Sequence, residues 1–290
     1  MIGANITWGL MAPVAKLLMA GGVIGPLLLT NFRIAGAALL FWITSLFGNK
    51  EHVPPHDLML LAGAAVLGIL TNQGCYIFGV GFTSPGEASV ITTTMPLWVM
   101  LLAAVILKEP ITWKKGGGIA LGATGALLLV AGSTATSGGD RPMLGDMLVL
   151  TAQLSYALYL TLYKNFISKY SVVTLMKWMF TFAACASVPA TLPVAMDTAW
   201  ADVTPGMWLM VGYVVVFATF VAYVCIMIGQ KNLRPTLVGM YNYVQPVVAM
   251  FVGVCLGLDR ITIVKLLAIA LIFSGVYLVT ISRAAGGTRQ

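Results

Sequence analysis

The chain has 290 residues, of which 59% are hydrophobic and only 9% charged, with a formal net charge of +7. Soluble domains hold about 25% charged residues, so this composition excludes a water-soluble globular protein and makes lipid the solvent for most of the chain. The positive balance reads as membrane topology, not as a surface for nucleic acid.

A helix needs about 20 apolar residues to cross the hydrocarbon layer, and ten segments meet that need. The first, 2–20, carries Asn5, Trp8 and Lys16. With no basic region before it and no small-residue cleavage site after it, it reads as a first span, not a signal peptide. The second, 26–47, holds Arg33, and the third, 58–80, holds Asn72, Gln73 and Tyr76 after the turn "GNKEHVPPHD". "TSPG" precedes 86–107, with Thr93, Thr94, Pro96 and Trp98. "LKEPIT" then sets Glu109 in a turn before 113–133, where Gly118, Gly122 and Gly125 are spaced for close helix packing. "TSGGDRPMLGD" leads into 146–165, with Gln153 and Tyr156; 172–195 holds Lys177 and 206–228 holds Tyr223. "KNLRP" precedes 236–257, with Asn242, Gln245 and Pro246, and "GLDRIT" sets Asp259 before 263–282.

No stretch between spans is long enough for a separate soluble domain. Cys75, Cys185, Cys225 and Cys255 fall inside apolar segments without C-x-x-C or Cys/His spacing, which predicts buried, inert thiols. With the N-terminus inside, Lys50, Lys108, Lys114, Lys115, Lys164, Lys169, Lys231, Arg234, Arg283 and Arg289 are cytoplasmic, ten residues, against three outside, Arg141, Arg260 and Lys265. The positive-inside rule therefore predicts that both termini are cytoplasmic.

Shifted by 150 residues, 85–131 aligns with 235–281 at 11 identities in 47 positions, among them Pro85/Pro235, Pro96/Pro246, Thr112/Thr262, Lys115/Lys265 and Gly125/Gly275. Glu109/Asp259 is a conservative match. Five spans per half is odd, so the second half enters from the opposite side. The expected fold is an all-α integral membrane protein of ten transmembrane helices in two inverted five-helix repeats. The halves are 1–133 and 146–283, with a connecting loop at 134–145 and a tail at 284–290.

Two five-span halves, Trp8-Gly9 and Lys16 in the first span, Arg33 in the second, and proline followed by an acid in the fourth and ninth resemble the EamA-type transporters of the drug/metabolite transporter superfamily. The resemblance covers nearly the whole chain. It departs at Asp259, where such families usually carry Glu, and at Tyr156, where the second half often repeats a tryptophan. It implies a secondary transporter of the bacterial inner membrane that moves small organic metabolites, amino acids or drug-like compounds by alternating access, with export as the direction.

The residues themselves offer no H-E-x-x-H, G-x-S-x-G or P-loop, so no enzyme, cofactor or metal is expected, and ATP is not a direct energy source. A lipid-handling enzyme would need a catalytic dyad; a non-transporting receptor would leave the repeat unexplained. Polar side chains inside spans should avoid lipid and face a cavity. The expected lining is Asn5, Trp8, Asn72, Gln73, Tyr76, Thr93, Thr94, Trp98, Gln153, Tyr156, Tyr223, Asn242 and Gln245, with helix kinks at Pro96 and Pro246. Lys16, Arg33 and Lys177 lie within about two turns of span ends, where basic side chains snorkel. Lys16 and Arg33 could instead bind an anion at the outward mouth, and Glu109 and Asp259 are gating candidates. No acid lies in the middle of a span. The expected partners are a small-molecule substrate and the lipid bilayer, with the chain as monomer or homodimer.

Overall fold

Proline decides where many of the helices begin. The computed structural model describes residues 2–48, 51–106, 108, 112–132, 141–232 and 244–285. Within them, Pro26, Pro55, Pro85, Pro142 and Pro205 each occupy the first residue of a helix. There the fixed φ suits the helix and the missing N–H would have had no intrahelical partner. The elements are α1 (Ile2–Ala20), α2 (Pro26–Ser45), α3 (Pro55–Phe82), α4 (Pro85–Thr92), α5 (Met95–Ile106), α6 (Trp113–Gly132) and α7 (Pro142–Leu162). After α8 (Val172–Asp197), α9 runs through Pro205–Gly212, Tyr213–Val221 and Ala222–Asn232, followed by α10 (Val244–Cys255) and α11 (Ile263–Ala285). Hydroxyls cap three starts: Ser84 accepts from the Glu87 amide at 3.2 Å, Ser171 from Thr174 at 3.3 Å and Thr204 from Met207 at 3.3 Å.

All regular structure among the described residues is helical. Seven stretches are long and apolar enough to cross a membrane by length and composition: α1, α2, α3, Pro85–Ile106, α7, α8 and Pro205–Ile226. Gly116–Leu129, Val244–Cys255 and Ile263–Leu278 are shorter apolar helices.

Two of these stretches depart from a plain α-helix where apolar length and periodicity alone predict none. α3 contains a π-helical segment at Val66–Thr71, and α9 contains one at Tyr213–Val221. The predicted single span 86–107 is also two helices. Its break falls at Thr93 and Thr94, whose amides bond three residues back to Val90 and Ile91 at 3.0 Å each. Pro96 causes this from downstream, because its ring has no N–H for the Thr92 carbonyl and crowds it.

In lipid, helices associate through packing and hydrogen bonds rather than through expulsion of water. α6 packs on α11, α2 on α8, the C-terminal half of α3 on α7, and α1 on α10. The α6–α11 crossing is close enough to require glycine. A Cβ on Gly275 would stand 2.5 Å from the Gly118 carbonyl oxygen and 2.6 Å from the Gly122 nitrogen, and one on Gly125 would stand 2.8 Å from the Ala268 oxygen. Phe41, Tyr159 and Phe180 fill a second core between α2, α7 and α8, with the Phe41 and Phe180 rings stacked at 5.6 Å. Around these cores the outer surface is apolar: Phe251 is 69% exposed and Leu209 76%. Cys185 and Cys255 belong to that outer surface, and Cys75 and Cys225 are half-buried, which corrects the expectation of four buried thiols. A helix face turned to lipid is as apolar as a core face, so hydropathy does not tell them apart.

Candidate functional site

Six helices and the α4–α5 break meet around a cavity of about 110 Å³. α1 supplies Trp8 and Met11, α2 Arg33, and α3 Asn72, Gln73 and Tyr76. Thr92, Thr93 and Met95 come from the break, Gln153 and Tyr156 from α7, Tyr223 from α9 and Gln245 from α10. Both π-helical segments stop just short of this wall, so Asn72 and Gln73 follow one and Tyr223 follows the other.

Hydrogen bonds hold much of the wall in place. Asn72 Nδ2 donates to the Ala152 carbonyl at 2.9 Å, Trp8 Nε1 to the Ala218 carbonyl at 2.9 Å, and Gln245 Nε2 to Asn5 Oδ1 at 2.7 Å. Gln73 Nε2 donates to the Tyr223 hydroxyl at 3.4 Å, and the Trp8 and Tyr223 rings meet edge to face at 5.9 Å. Ser155 Oγ donates to the Leu67 carbonyl, inside the first π-helical segment, at 2.8 Å. Arg33 Nε donates to Thr219 Oγ1 at 3.1 Å.

Of the thirteen lining candidates, nine stand in this wall: Trp8, Asn72, Gln73, Tyr76, Thr93, Gln153, Tyr156, Tyr223 and Gln245. Asn5 is one layer behind, orienting Gln245. Thr94 is buried with its hydroxyl turned back to the Ile91 carbonyl at 2.7 Å, and Trp98 lies outside the wall, beyond the break. Asn242 and Glu109 lie outside the described residues. Of the kink prolines, Pro246 is buried within α10.

The basic residues differ most from expectation. Lys16 does not snorkel: its Nζ donates to the Gly81 and Thr83 carbonyls at 2.6 and 2.9 Å, closing the C-terminal end of α3, where a cation is favoured. Arg33 does not stand at a mouth; it is 3% exposed and faces the cavity. A position two turns from a helix end can lie deep in the bundle when the side chain points inward. Lys177 is half-buried, with its Nζ 4.5 Å from the centre of the Trp42 ring.

Acids are also buried deeper than the sequence implies. At the C-terminal end of α3, Lys265 Nζ lies 3.1 Å from Glu87 Oε1 and also pairs with Asp259. The Thr83 hydroxyl lies 2.9 Å from Glu87 Oε2 and 2.6 Å from Asp146 Oδ1. Glu87 and Asp146 were missed; the available signal was an acid within one or two residues of a span boundary, beside a cation at the matching end of another span. For Asp259, the compensating charge is Lys265. The opposite end of α3 carries a second polar cluster, where Asp57 accepts from Lys169 and Tyr170 and Glu51 Oε2 accepts from Ser171 Oγ at 2.9 Å. Hydrogen bonds from Thr174 and then from Ser171 hold Glu51 below the usual carboxylate range.

Among the described residues no group of three His, Cys, Asp or Glu is placed to hold a metal ion. The cavity wall is aromatic rings, carboxamides, hydroxyls, two methionine side chains and one guanidinium, a set that can bind and orient a small solute with polar and apolar parts.

Comparison with known proteins gives the same direction. The sequence model of the EamA-like transporter family matches residues 1–131 and 143–281. Similar curated proteins include the "Uncharacterized inner membrane transporter YedA" of Escherichia coli (strain K12), 30% identical over 271 residues that cover 89% of this chain and 82% of that protein. An "Uncharacterized transporter" of Archaeoglobus fulgidus is 24% identical over 279 residues, 95% of each chain. A solved structure described as "Crystal structure of protein" shares the fold, with a TM-score of 0.65 at 17% identity over 98% of both chains.

Proposed function

This chain belongs to the EamA-like transporter family, and on that premise we propose that it is a secondary transporter moving a small organic solute through the central cavity by alternating access. The observation that carries this reading is the convergence of polar side chains from α1, α2, α3, α7, α9 and α10 on one cavity between the halves. The reading includes ten membrane crossings in two inverted halves, 1–133 and 146–283. It is supported by the two separate stretches that match the family and by the pairing of helices. α1 packs on α10 as α7 packs on α5, while α2 on α8 and α6 on α11 are pairs that such an exchange maps onto themselves. Inverted halves rocking about a fixed site are how such folds alternate access.

The cavity's size bears on the substrate. A dry cavity of about 150 Å³ holds a benzene ring, so about 110 Å³ suits a body of a few carbons in the conformation seen here. Both termini are cytoplasmic in this reading, the membrane is the bacterial inner membrane, and export is the direction.

Counterflow in proteoliposomes tests it. The purified full-length chain, loaded with unlabelled small amino acids, amines, organic acids or neutral amides, should accelerate uptake of the matching labelled solute over protein-free vesicles. Gln73→Ala should weaken that acceleration while the protein still inserts. Exchange no faster than in empty vesicles across the whole panel would remove the transport reading.

A further inference from the structure

The cavity contains a full positive charge that no protein group neutralises among the described residues. Arg33 is buried and its Nε is spent on Thr219, but its Nη1 makes no hydrogen bond. Asp57 pairs with His56 and Lys169, and Lys265 with Glu87 and Asp259; Arg33 has no part in these ion pairs. A guanidinium keeps its proton inside proteins, so it cannot escape this site by becoming neutral. Buried charges are normally paired. The neighbours that line the same space, Trp8, Tyr76, Tyr223 and Gln73, bring no negative charge. Gln73 adds a second open position, because its Oε1 is also buried without a hydrogen-bond partner.

We propose that the solute is an organic carboxylate, paired with the open Nη1 side of Arg33, with its apolar body against Trp8, Tyr76 and Tyr223. The planar fork of guanidinium donors matches the two oxygens of a carboxylate. One guanidinium balances one negative charge, so the carboxylate is the solute's single net acidic group. Gln73 Oε1 is placed to accept from an N–H or O–H on the same solute, which fits an amino or hydroxy acid as well as a plain acid. The proposal rests on the transport reading for its biological sense, but the binding it describes can be measured without transport.

The test uses the full-length protein in detergent, with thermal unfolding and calorimetry as readouts. The probes are isobutyrate, isovalerate, 2-hydroxyisovalerate and valine, each beside its amide. In the wild-type protein at least one acid should raise the melting temperature, and its amide should bind at least about tenfold more weakly, the scale of one charged hydrogen-bonded contact. Arg33→Gln should erase the difference between acid and amide, while Arg33→Lys, which keeps the charge but not the fork, should retain part of it. The wild-type comparison needs no variant, so a misfolded Arg33→Gln protein does not blunt the test. Amides binding as tightly as acids, an Arg33→Gln protein that still prefers acids, or a wild type that binds none of the acids would overturn the proposal. Vesicles that exchange amines or neutral solutes but ignore every acid would overturn it and leave the transport reading standing. Carboxylate binding by a protein that exchanges nothing would uphold it and remove the transport reading instead.

Discussion

Gln73 and Tyr223 are 150 residues apart in the chain and in contact in the fold, the amide of one donating to the hydroxyl of the other at 3.4 Å. The same interval separates Pro96 from Pro246 and Gly125 from Gly275. Two positions exchanged by a two-fold axis can touch only beside that axis. In the proposed inverted repeat, the contact therefore sets the axis in the cavity wall, where a solute would meet both halves at once.

Breaking this contact should affect transport more than folding. Tyr223→Phe and Gln73→Ala each remove one hydrogen bond worth about 1 kcal/mol of stability, which the bundle should tolerate. Solute exchange should fall about tenfold in either variant, and the double variant should be little worse than the single ones, as expected for residues in one network. Initial rates of counterflow, normalised to inserted protein, check this; strictly multiplicative losses would show that the two side chains act apart.

The α6–α11 crossing gives a packing prediction with its own control. Gly275→Ala drives a methyl group into the backbone of Gly118 and Gly122 and should destabilise the protein by about 1–3 kcal/mol. Gly117 lies in α6 with no atom within 4 Å of an added Cβ. Gly117→Ala should therefore be neutral or stabilising by about 0.5–1 kcal/mol. Thermal unfolding in detergent should separate the two substitutions in opposite directions.

Lys265 should be hard to replace. It is buried between Glu87 and Asp259, and Lys265→Met leaves two carboxylates without their shared cation. Removing one partner of a buried ion pair costs about 3–5 kcal/mol. The variant should lose most of its folded yield on size-exclusion chromatography, and adding Glu87→Gln and Asp259→Asn should restore part of it.

At the other end of α3, the Glu51–Ser171 contact carries a pH dependence. Its hydrogen bonds lower the Glu51 value in the folded state. Its stabilisation is therefore present above the unfolded value of about 4.3 and is lost as pH falls through the lower folded value. Glu51 is largely exposed, so the effect is small. Melting curves of the wild type and Glu51→Gln should differ at neutral pH and converge in acid; a gap that widens on acidification would contradict this sign.

Topology can be read from two added thiols in a cysteine-free background. His52→Cys and Arg141→Cys should react with an impermeant maleimide from opposite faces of the membrane, His52→Cys only after permeabilisation of intact cells. Reaction of both from outside would reject the arrangement with cytoplasmic termini.

Much of this architecture can be read from residue patterns because lipid imposes simple rules. Apolar length marks the helices, proline marks five of their first residues, and polar side chains inside spans must turn away from lipid. That last rule is why Gln73, Tyr76, Tyr156 and Tyr223 were legible as a set. Depth is less legible. Arg33 and Lys16 both lie within about two turns of a span end, yet one faces the cavity and the other binds the carbonyls that end α3. The difference is the direction in which each points, which depends on neighbours far away in sequence. Asn5 and Thr94 show the same limit, since a polar group can satisfy itself on another side chain or on its own helix without reaching the cavity. Glu87 was hidden by its place at the edge of a span, where an acid usually reaches water.

The π-helical segments Val66–Thr71 and Tyr213–Val221 have a consequence for how these two helices can vary. In an α-helix each residue advances the side-chain direction by about 100°, and a π-bulge accommodates a surplus residue without restarting the helix. Deleting one residue from 66–71 would therefore let α3 run as a regular ladder with the parts before and after the bulge still in phase, so that Gln73 could keep its bond to Tyr223. The same deletion in a plain α-helical stretch would swing one part of the helix against the other by about that angle. The bulge is thus a place where the chain can shorten by one residue without turning the cavity wall.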